Sequence, residues 1–189
     1  MRFILSIVGV ILFIIAIIVI ISQGNTTTID TRKIDLAKYN YPGTSLTQTT
    51  SGNLVGNDQR AAIRLTISQS ERTVYLLSTY DQTVVNSESF PNTPAAYGAF
   101  LGAMQNAGYT NSKITSQKNI YGVCPLGSTY QYQFNNANSI QSNLWSTSCT
   151  SGDGTFVGNG PLIRQLFTLQ IPNYKTFTQP YNIIAFTFY

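Results

Sequence analysis

The hydrophobic pattern divides the chain into one long apolar run and a polar remainder. Residues 3–21 carry no charge, and sixteen of these nineteen positions are Ile, Leu, Val or Phe. A helix of this length spans roughly 28 Å, close to the thickness of the hydrocarbon core of a bilayer. The run therefore predicts a transmembrane helix, and the lipid bilayer is the first expected partner.

The apolar run has two interpretations, a retained signal anchor or a cleaved signal peptide. The cores of signal peptides hold about 7–15 apolar residues, which favours a retained anchor. Ser22 and Gly24 nevertheless match, weakly, the small residues that precede a cleavage site. Arg2 lies before the run, and residues 22–29 after it are uncharged. The positive-inside rule then places residues 1–2 in the cytoplasm and the rest outside, at the cell surface or in a periplasm-like space.

Residues 22–59 are interpreted as a Thr-, Ser- and Gly-rich linker between the bilayer and a domain at residues 60–189. Residues 26–28 are all Thr, and residues 49–53 read Thr-Thr-Ser-Gly-Asn, which is typical of turn and coil. Ile34 and Lys38 lie four positions apart and are compatible with a short helix over residues 30–39.

The first half of the domain shows strand and then helix periodicity. Residues 60–68 alternate, with Ile63 and Leu65 on one side and Arg64 on the other, which predicts a half-buried strand. Residues 73–80 and 83–89 predict two more strands, and the short connections require antiparallel pairing. Thr93 and Gly108 are suited to cap a helix between them, in which Tyr97, Leu101 and Met104 recur at helical spacing.

The second half predicts a hairpin, a helix and a closing strand. Residues 128–134 and 140–147 alternate around a loop at 135–139, residues 160–170 predict a helix, and residues 181–189 a final strand. Centring the hairpin on Ala137 pairs Tyr130 with Leu144, Tyr132 with Ser142, and Phe134 with Ile140. The order β-β-β-α-β-β-α-β predicts an α+β domain with a mostly antiparallel sheet and two helices.

The same hairpin brings the two cysteines of the chain together. In that register Cys124 lies opposite Thr150, one residue from Cys149. A disulfide between them would stabilise the fold by roughly 3.5 kcal/mol and would indicate an oxidising compartment outside the cytosol. The alternative is a pair of buried free thiols.

Composition supports an exported protein and narrows its chemistry. The chain has 23 Thr, 17 Ser, 16 Asn and 13 Gln, and only 10% of its residues are charged, against about 25% in typical domains. The net charge of +4 is dispersed, so no nucleic-acid-binding face is expected. There is no histidine, and two cysteines alone do not make a metal site, so neither a metal nor a cofactor is expected.

Catalysis has weak support in this sequence. The ionisable groups available for an active-site cleft occur without any spacing that brings them together: Asp58, Asp81, Glu88, Lys113 and Lys118. The sequence also lacks a phosphate-binding loop, a dinucleotide fingerprint and a nucleophile elbow. We therefore expect a protein that is not an enzyme, with an envelope hydrolase as the least favoured alternative.

Recognition of a partner is the remaining role. Tyr130, Tyr132 and Trp145 are candidates for contacting a protein or a glycan, and the alternative is that they belong to the core. The layout is similar, in architecture alone, to membrane-anchored components of bacterial envelope machines. The sequence thus predicts a single-pass, membrane-anchored, extracytoplasmic binding module of the cell envelope. The second hypothesis is a structural subunit of a larger envelope assembly, secretory or pilus-like, which would allow self-association.

Overall fold

The computed structural model describes residues 29–30, 34–53, 56, 61–78, 82–117, 119–137, 139–149 and 154–179. None of the helices in these ranges is long and apolar enough to cross a membrane. The predicted anchor at residues 3–21 and the predicted closing strand at residues 181–189 both lie outside the described residues.

The described chain contains eight strands, three α-helices and one short 3-10 helix. The 3-10 helix is Leu36–Tyr39, and the α-helices are α1 (Pro94–Ala107), α2 (Gly160–Leu169) and α3 (Tyr174–Thr178). The strands are β1 (Ile29–Asp30), β2 (Thr44–Ser51), β3 (Ala61–Ser68), β4 (Glu71–Ser78), β5 (Val84–Pro91), β6 (Ser112–Lys113), β7 (Thr129–Asn136) and β8 (Ser139–Thr147).

Six of these strands form one antiparallel sheet in the order β5-β4-β3-β2-β7-β8. β1 and β6 form a separate antiparallel pair. Isolated bridges from Ser112 to Phe156 and from Ser146 to Gly154 connect β6 with β8 through the chain at residues 154–156. With these bridges, the strands follow one another in the order β1-β6-β8-β7-β2-β3-β4-β5, which we call the strand series. The predicted α+β class with an antiparallel sheet is confirmed.

Strand β2 lies within the stretch interpreted as a linker. It pairs with β3 on one side, where Thr47 lies opposite Thr66, and with β7 on the other, where Thr47 lies opposite Gln133. It therefore joins the β3-β4-β5 meander to the β7-β8 hairpin. Thr47, Gln48, Thr49 and Thr50 are all buried, although none is apolar. The fold thus gains a central strand that the sequence pattern did not predict.

The helices pack on the sheet face that carries the apolar residues of β3. Ile63, Leu65 and Ile67 are buried there, as the alternation of β3 predicts. Phe100 of α1 contacts Phe167 of α2 edge to face, with ring centroids 5.3 Å apart. The remaining large core residues come from the 3-10 helix, β2, β4, α1, β7 and α2, and include Leu36, Leu46, Val74, Leu76, Tyr97, Leu101, Met104, Tyr132, Phe134 and Ile163.

Helix α1 begins and ends where the sequence predicts. The Thr93 side chain accepts a hydrogen bond from the Ala96 amide at 3.2 Å. Pro94 occupies the first turn, where a missing amide hydrogen costs nothing. Gly108 ends the helix at φ +76°, the left-handed conformation that glycine adopts without steric cost.

The β7-β8 register differs from the predicted one by two residues. Tyr130 pairs with Ser146, Tyr132 with Leu144, and Phe134 with Ser142, so the predicted pairing with Leu144, Ser142 and Ile140 is wrong. Two features cause the difference. The hairpin turns between Asn136 and Ser139, and a bulge lies between Phe134 and Asn135. Because strand side chains alternate with a period of two, a two-residue shift leaves each aromatic ring on the predicted face.

Tyr109 fastens the loop after α1 to the centre of the sheet. Its side chain is fully buried, and its hydroxyl donates to the carbonyl oxygen of Thr47 at 2.7 Å and lies 2.9 Å from that of Gln133. These carbonyls belong to β2 and β7, so one hydroxyl spans the seam between the two halves of the sheet. Burial raises the pKa of Tyr109 well above its ordinary value, and burial raises that of Tyr174 to about 12.

These tyrosines predict alkaline unfolding. Tyrosines in the unfolded chain ionise near pH ~10, below the folded-state values. The stability that Tyr109 and Tyr174 contribute is therefore complete below pH ~10 and is lost as the pH rises towards the folded pKa, which is about 12 for Tyr174. We expect Tyr109→Phe to lower the free energy of unfolding at neutral pH by about 1–2 kcal/mol and to flatten its alkaline decline. Urea unfolding monitored by circular dichroism across this pH range measures both effects.

Tyr121→Phe is the matched control, because Tyr121 is 85% exposed. It should leave the free energy of unfolding at neutral pH unchanged, because an exposed hydroxyl is hydrated in both the folded and the unfolded chain. Equal behaviour of the Tyr109 and Tyr121 variants would contradict the role assigned to the buried hydroxyl.

Candidate functional site

The three aromatic residues predicted to contact a partner lie largely in the interior. Tyr132 is fully buried, Trp145 is buried, and Tyr130 is half-buried. Tyr130 and Tyr132 share the helix-covered face of β7, whereas Trp145 lies opposite Gln131 on the other face of β8. The structure therefore does not bring them together in an exposed patch.

Arg164 of α2 covers the two tyrosines of β7. Its guanidinium carbon lies 4.1 Å from the centre of the Tyr130 ring, a cation–π arrangement. Burial raises the pKa of the Tyr132 hydroxyl, and the nearby Arg164 and Ser146 oppose that rise. The hydroxyl makes no hydrogen bond of normal geometry within the described structure. This cluster packs α2 against the helix-covered face of β7.

Two of the residues considered for catalysis, Glu88 and Lys113, lie in the described structure, and they do not share a cleft. Glu88 is exposed on β5, and Lys113 lies on β6 at the opposite side of the strand series. At least five inter-strand spacings of ~4.8 Å separate these positions. Asp58, Asp81 and Lys118 lie outside the described residues. In the part of the chain that is described, no group of three Cys, Asp or Glu side chains is arranged to hold a metal ion.

The disulfide between Cys124 and Cys149 is present, with the two Cα atoms 5.6 Å apart. The disulfide is confirmed, although the register from which it was predicted is wrong. The cysteines meet because the chain before Thr129 lies outside the β7-β8 ladder and is free of its register. A turn from Cys124 to Gly127, closed by a 3.3 Å backbone hydrogen bond, brings Cys124 towards β8. A Cβ on Gly127 would lie only 2.6 Å from the Cys124 Sγ, so glycine allows this close approach.

Residues 119–127, which we call the cystine loop, display two large apolar side chains. Tyr121 and Leu126 are each 85% exposed. Leu126 lies within the turn that the disulfide holds, and the Tyr121 amide donates to the Asn119 Oδ1 at 3.2 Å. The sequence pattern did not single out these residues, because the loop has no periodicity. The cysteine beside a Pro-Leu-Gly turn is the one available signal.

Strand β5 is the second exposed feature. It pairs with β4 on one side, and no described strand pairs with its other side. Seven of its eight residues are exposed, and Phe90 is half-buried. The Ser87 amide donates to the Asn86 Oδ1 at 2.9 Å and so points away from the β4 ladder. Residues alternate in direction along an edge strand, so Ser89 presents its backbone to the same side.

Both ends of β5 are fixed to the sheet. At one end the pairing steps from Leu76–Asn86 to Leu77–Val84 through a bulge. At the other end the Arg72 guanidinium donates to the carbonyl oxygen of Pro91 at 2.9 and 3.2 Å. The segment between them, residues 87–90, is therefore a short edge held in extended geometry.

Comparison with protein-family models, with curated proteins and with solved structures finds no match for this chain. The functional argument therefore rests on the two exposed features, the cystine loop and the β5 edge.

Removing the disulfide should weaken the fold without changing its topology. The bond closes a span of 25 residues, for which the chain-entropy model gives roughly 3.5 kcal/mol. We expect Cys124→Ser/Cys149→Ser to lower the melting temperature by about 10 °C. Differential scanning calorimetry measures this loss.

Reductant provides the control for that variant. It should lower the melting temperature of the unmodified protein by a similar amount and leave the double variant unchanged. A double variant as stable as the parent would show that the bond does not contribute to folding stability.

Proposed function

We propose that this chain is a non-catalytic binding module of the cell envelope, anchored by residues 3–21 with its folded domain outside the cytoplasm. The disulfide supports the outside location, since such bonds persist in oxidising compartments. The charge-poor, hydroxyl- and amide-rich composition of the domain supports it as well. Arg2 on the N-terminal side of the anchor supports a cytoplasmic N-terminus.

The open edge of β5 is the observation that carries the binding role. An edge strand presents backbone donors and acceptors to any extended segment that approaches it. Natural sheets usually blunt such edges. Among the described residues, β5 is blunted by the bulge at one end, by Pro91 at the other, and by the Asn86 Oδ1, which accepts from the outward Ser87 amide and which an incoming carbonyl would displace. Residues 87–90 therefore form a site for adding one strand from a partner.

The edge favours a protein over a glycan as the partner. A backbone edge forms hydrogen bonds with the N–H and C=O groups of another backbone, with the two strands about 4.8 Å apart. The side chains beside it are short and polar, apart from Glu88 and the half-buried Phe90. The site therefore supplies affinity mainly through the main chain, as expected for recognition of an extended peptide.

A structural subunit that self-associates is the second candidate, because a copy of this chain would bring the same edge. A two-fold pairing centred on Glu88 would place two carboxylates directly opposite, which destabilises that register. A partner of different sequence avoids this repulsion. Sedimentation of the detergent-solubilised chain distinguishes a monomer from a dimer formed through this edge.

Proline at position 87 should abolish strand addition. Ser87→Pro removes an amide that points away from β4 and leaves the β4-β5 ladder in place. Ser87→Ala keeps that amide and is the matched control. Extended peptides selected on the full-length protein should bind Ser87→Pro at least about tenfold more weakly, while Ser87→Ala binds like the parent. Biolayer interferometry measures the ratio.

Two results would overturn the binding role. One is that no extended peptide binds the parent protein with saturable affinity. The other is that Ser87→Pro, shown to be folded by its circular dichroism, binds selected peptides as tightly as Ser87→Ala.

The orientation predicts that thiols appear from outside the cell only after reduction. Cys149 is exposed and Cys124 is buried, so an impermeant maleimide should add to Cys149 first once the bond is reduced. Labelling of intact cells with and without reductant, followed by mass measurement, tests this. If the cysteines react without reductant, and only after lysis, the domain lies in the cytoplasm and the proposed topology is wrong.

A further inference from the structure

The place where the anchored chain joins the fold identifies the side of the domain that lies nearest the bilayer. β1 begins at Ile29, and it pairs with β6, where Ile29 lies opposite Lys113. Only residues 22–28 separate it from the predicted anchor. Eight residue steps from Ile21 reach at most about 27 Å. If residues 3–21 span the membrane, as proposed above, the β1-β6 pair is held close to the surface of the bilayer.

Large apolar side chains are exposed on the chain that leaves this pair. Ile114 directly follows β6 and is 69% exposed, and the cystine loop adds Tyr121 and Leu126 at 85% each. The bridge between Ser112 and Phe156 and that between Ser146 and Gly154 tie β6 to the end of β8. The disulfide follows two residues after β8 ends. These exposed side chains therefore share the end of the domain that the anchor approaches.

The charge of this region suits an anionic surface. Residues 112–128 include two lysines and no Asp or Glu, and Asp30 of β1 lies opposite Ser112, so β1 together with residues 112–128 carries a net charge of +1. Tyrosine favours the interface between headgroups and acyl chains, where its ring is buried and its hydroxyl stays hydrated. Leucine and isoleucine side chains are stabilised when they enter the same zone, and a net positive charge favours anionic lipid.

We propose that the cystine loop docks on the bilayer that holds the anchor, with Tyr121 and Leu126 entering the headgroup region and Ile114 beside them. The disulfide holds the loop in shape, so that docking orders few additional torsions. The inference rests on the proposed membrane anchor. It orients the domain with β1 and β6 towards the lipid and with the β5 edge away from it, where a partner can approach.

Depth-dependent quenching of an introduced indole tests the docking. Full-length Tyr121→Trp and Leu126→Trp are reconstituted into nanodiscs of phosphatidylcholine with phosphatidylglycerol, with or without brominated acyl chains. Each should show emission shifted to the blue, and should lose more than about half of the added emission on brominated lipid, since an interfacial side chain reaches ~5–10 Å into the boundary. The parent protein provides the background from Trp145, which is buried.

Leu169→Trp is the matched control, because Leu169 is 70% exposed at the end of α2. Its added emission should stay unshifted and unquenched. Solvent-like emission from both loop variants would overturn the docking, and so would equal quenching of all three. Discs of phosphatidylcholine alone should give weaker quenching at the loop, and equal quenching in both lipids would exclude the electrostatic part.

Flotation of the same protein with vesicles separates this inference from the proposed function. If the protein floats after carbonate treatment but the loop variants are not quenched, the anchor is supported and the docking is refuted. Protein that does not float refutes the anchor, and the docking with it. Quenched loop variants on a protein that floats support both.

Discussion

The pairing of β2 on both of its sides is the constraint on which the rest of the structure depends. It joins a meander of three strands to a hairpin, and their paired residues are separated by up to 92 positions in the chain. Without β2 the domain would hold two small sheets, each with an additional open edge. Tyr109 reinforces the seam because its hydroxyl lies between a carbonyl of β2 and one of β7. Position within the sheet, more than apolar area, gives this strand its importance.

The composition of β2 explains why it is stable at the centre of the sheet and why the sequence pattern does not predict it. Thr44–Ser51 has one large apolar residue, Leu46, and otherwise resembles a flexible spacer. Threonine is β-branched and suits an extended backbone, and here the Thr47 and Thr66 hydroxyls lie 3.2 Å apart. The burial of these side chains comes from strands that are distant in sequence. Period-two analysis detects contrast between two faces, and a strand that is polar on nearly every position has none.

Local signals predicted other elements well. β3 alternates because one of its faces meets helices, and α1 has capping residues whose geometry is fixed within four positions. The disulfide was predicted from the proximity of the two cysteines at the end of a hairpin, and an error of two residues in the register did not change that proximity. That error arose partly from the position of the turn between Asn136 and Ser139 and partly from a bulge after Phe134, and no residue type there indicates a bulge. Tertiary accommodation of this kind cannot be read from a single sequence.

The candidate site shows the same division between local and distant causes. Tyr130 and Tyr132 have the residue types of a recognition surface, but Arg164 of α2, more than thirty residues away in the chain, covers them. Tyr121 and Leu126 are exposed for a local reason, since the turns that hold them are short and tied to a disulfide. Residue type alone therefore does not distinguish these aromatic residues, and the fold determines which of them reach solvent.

The two exposed features would make different energetic demands, and the difference follows from the proposed anchor. A strand that a partner molecule adds at β5 must offset the full loss of translational freedom on binding. In the arrangement proposed above, the cystine loop would meet a surface to which its own chain is tethered by the seven residues 22–28. A short tether raises the effective concentration of the surface to the millimolar range, so a contact of weak intrinsic affinity is populated. Two or three apolar side chains are sufficient for such a contact, whereas the β5 edge needs a series of backbone hydrogen bonds. The few apolar side chains of the loop are thus consistent with the proposed role in orienting the domain, and the backbone edge with the proposed role in recognition.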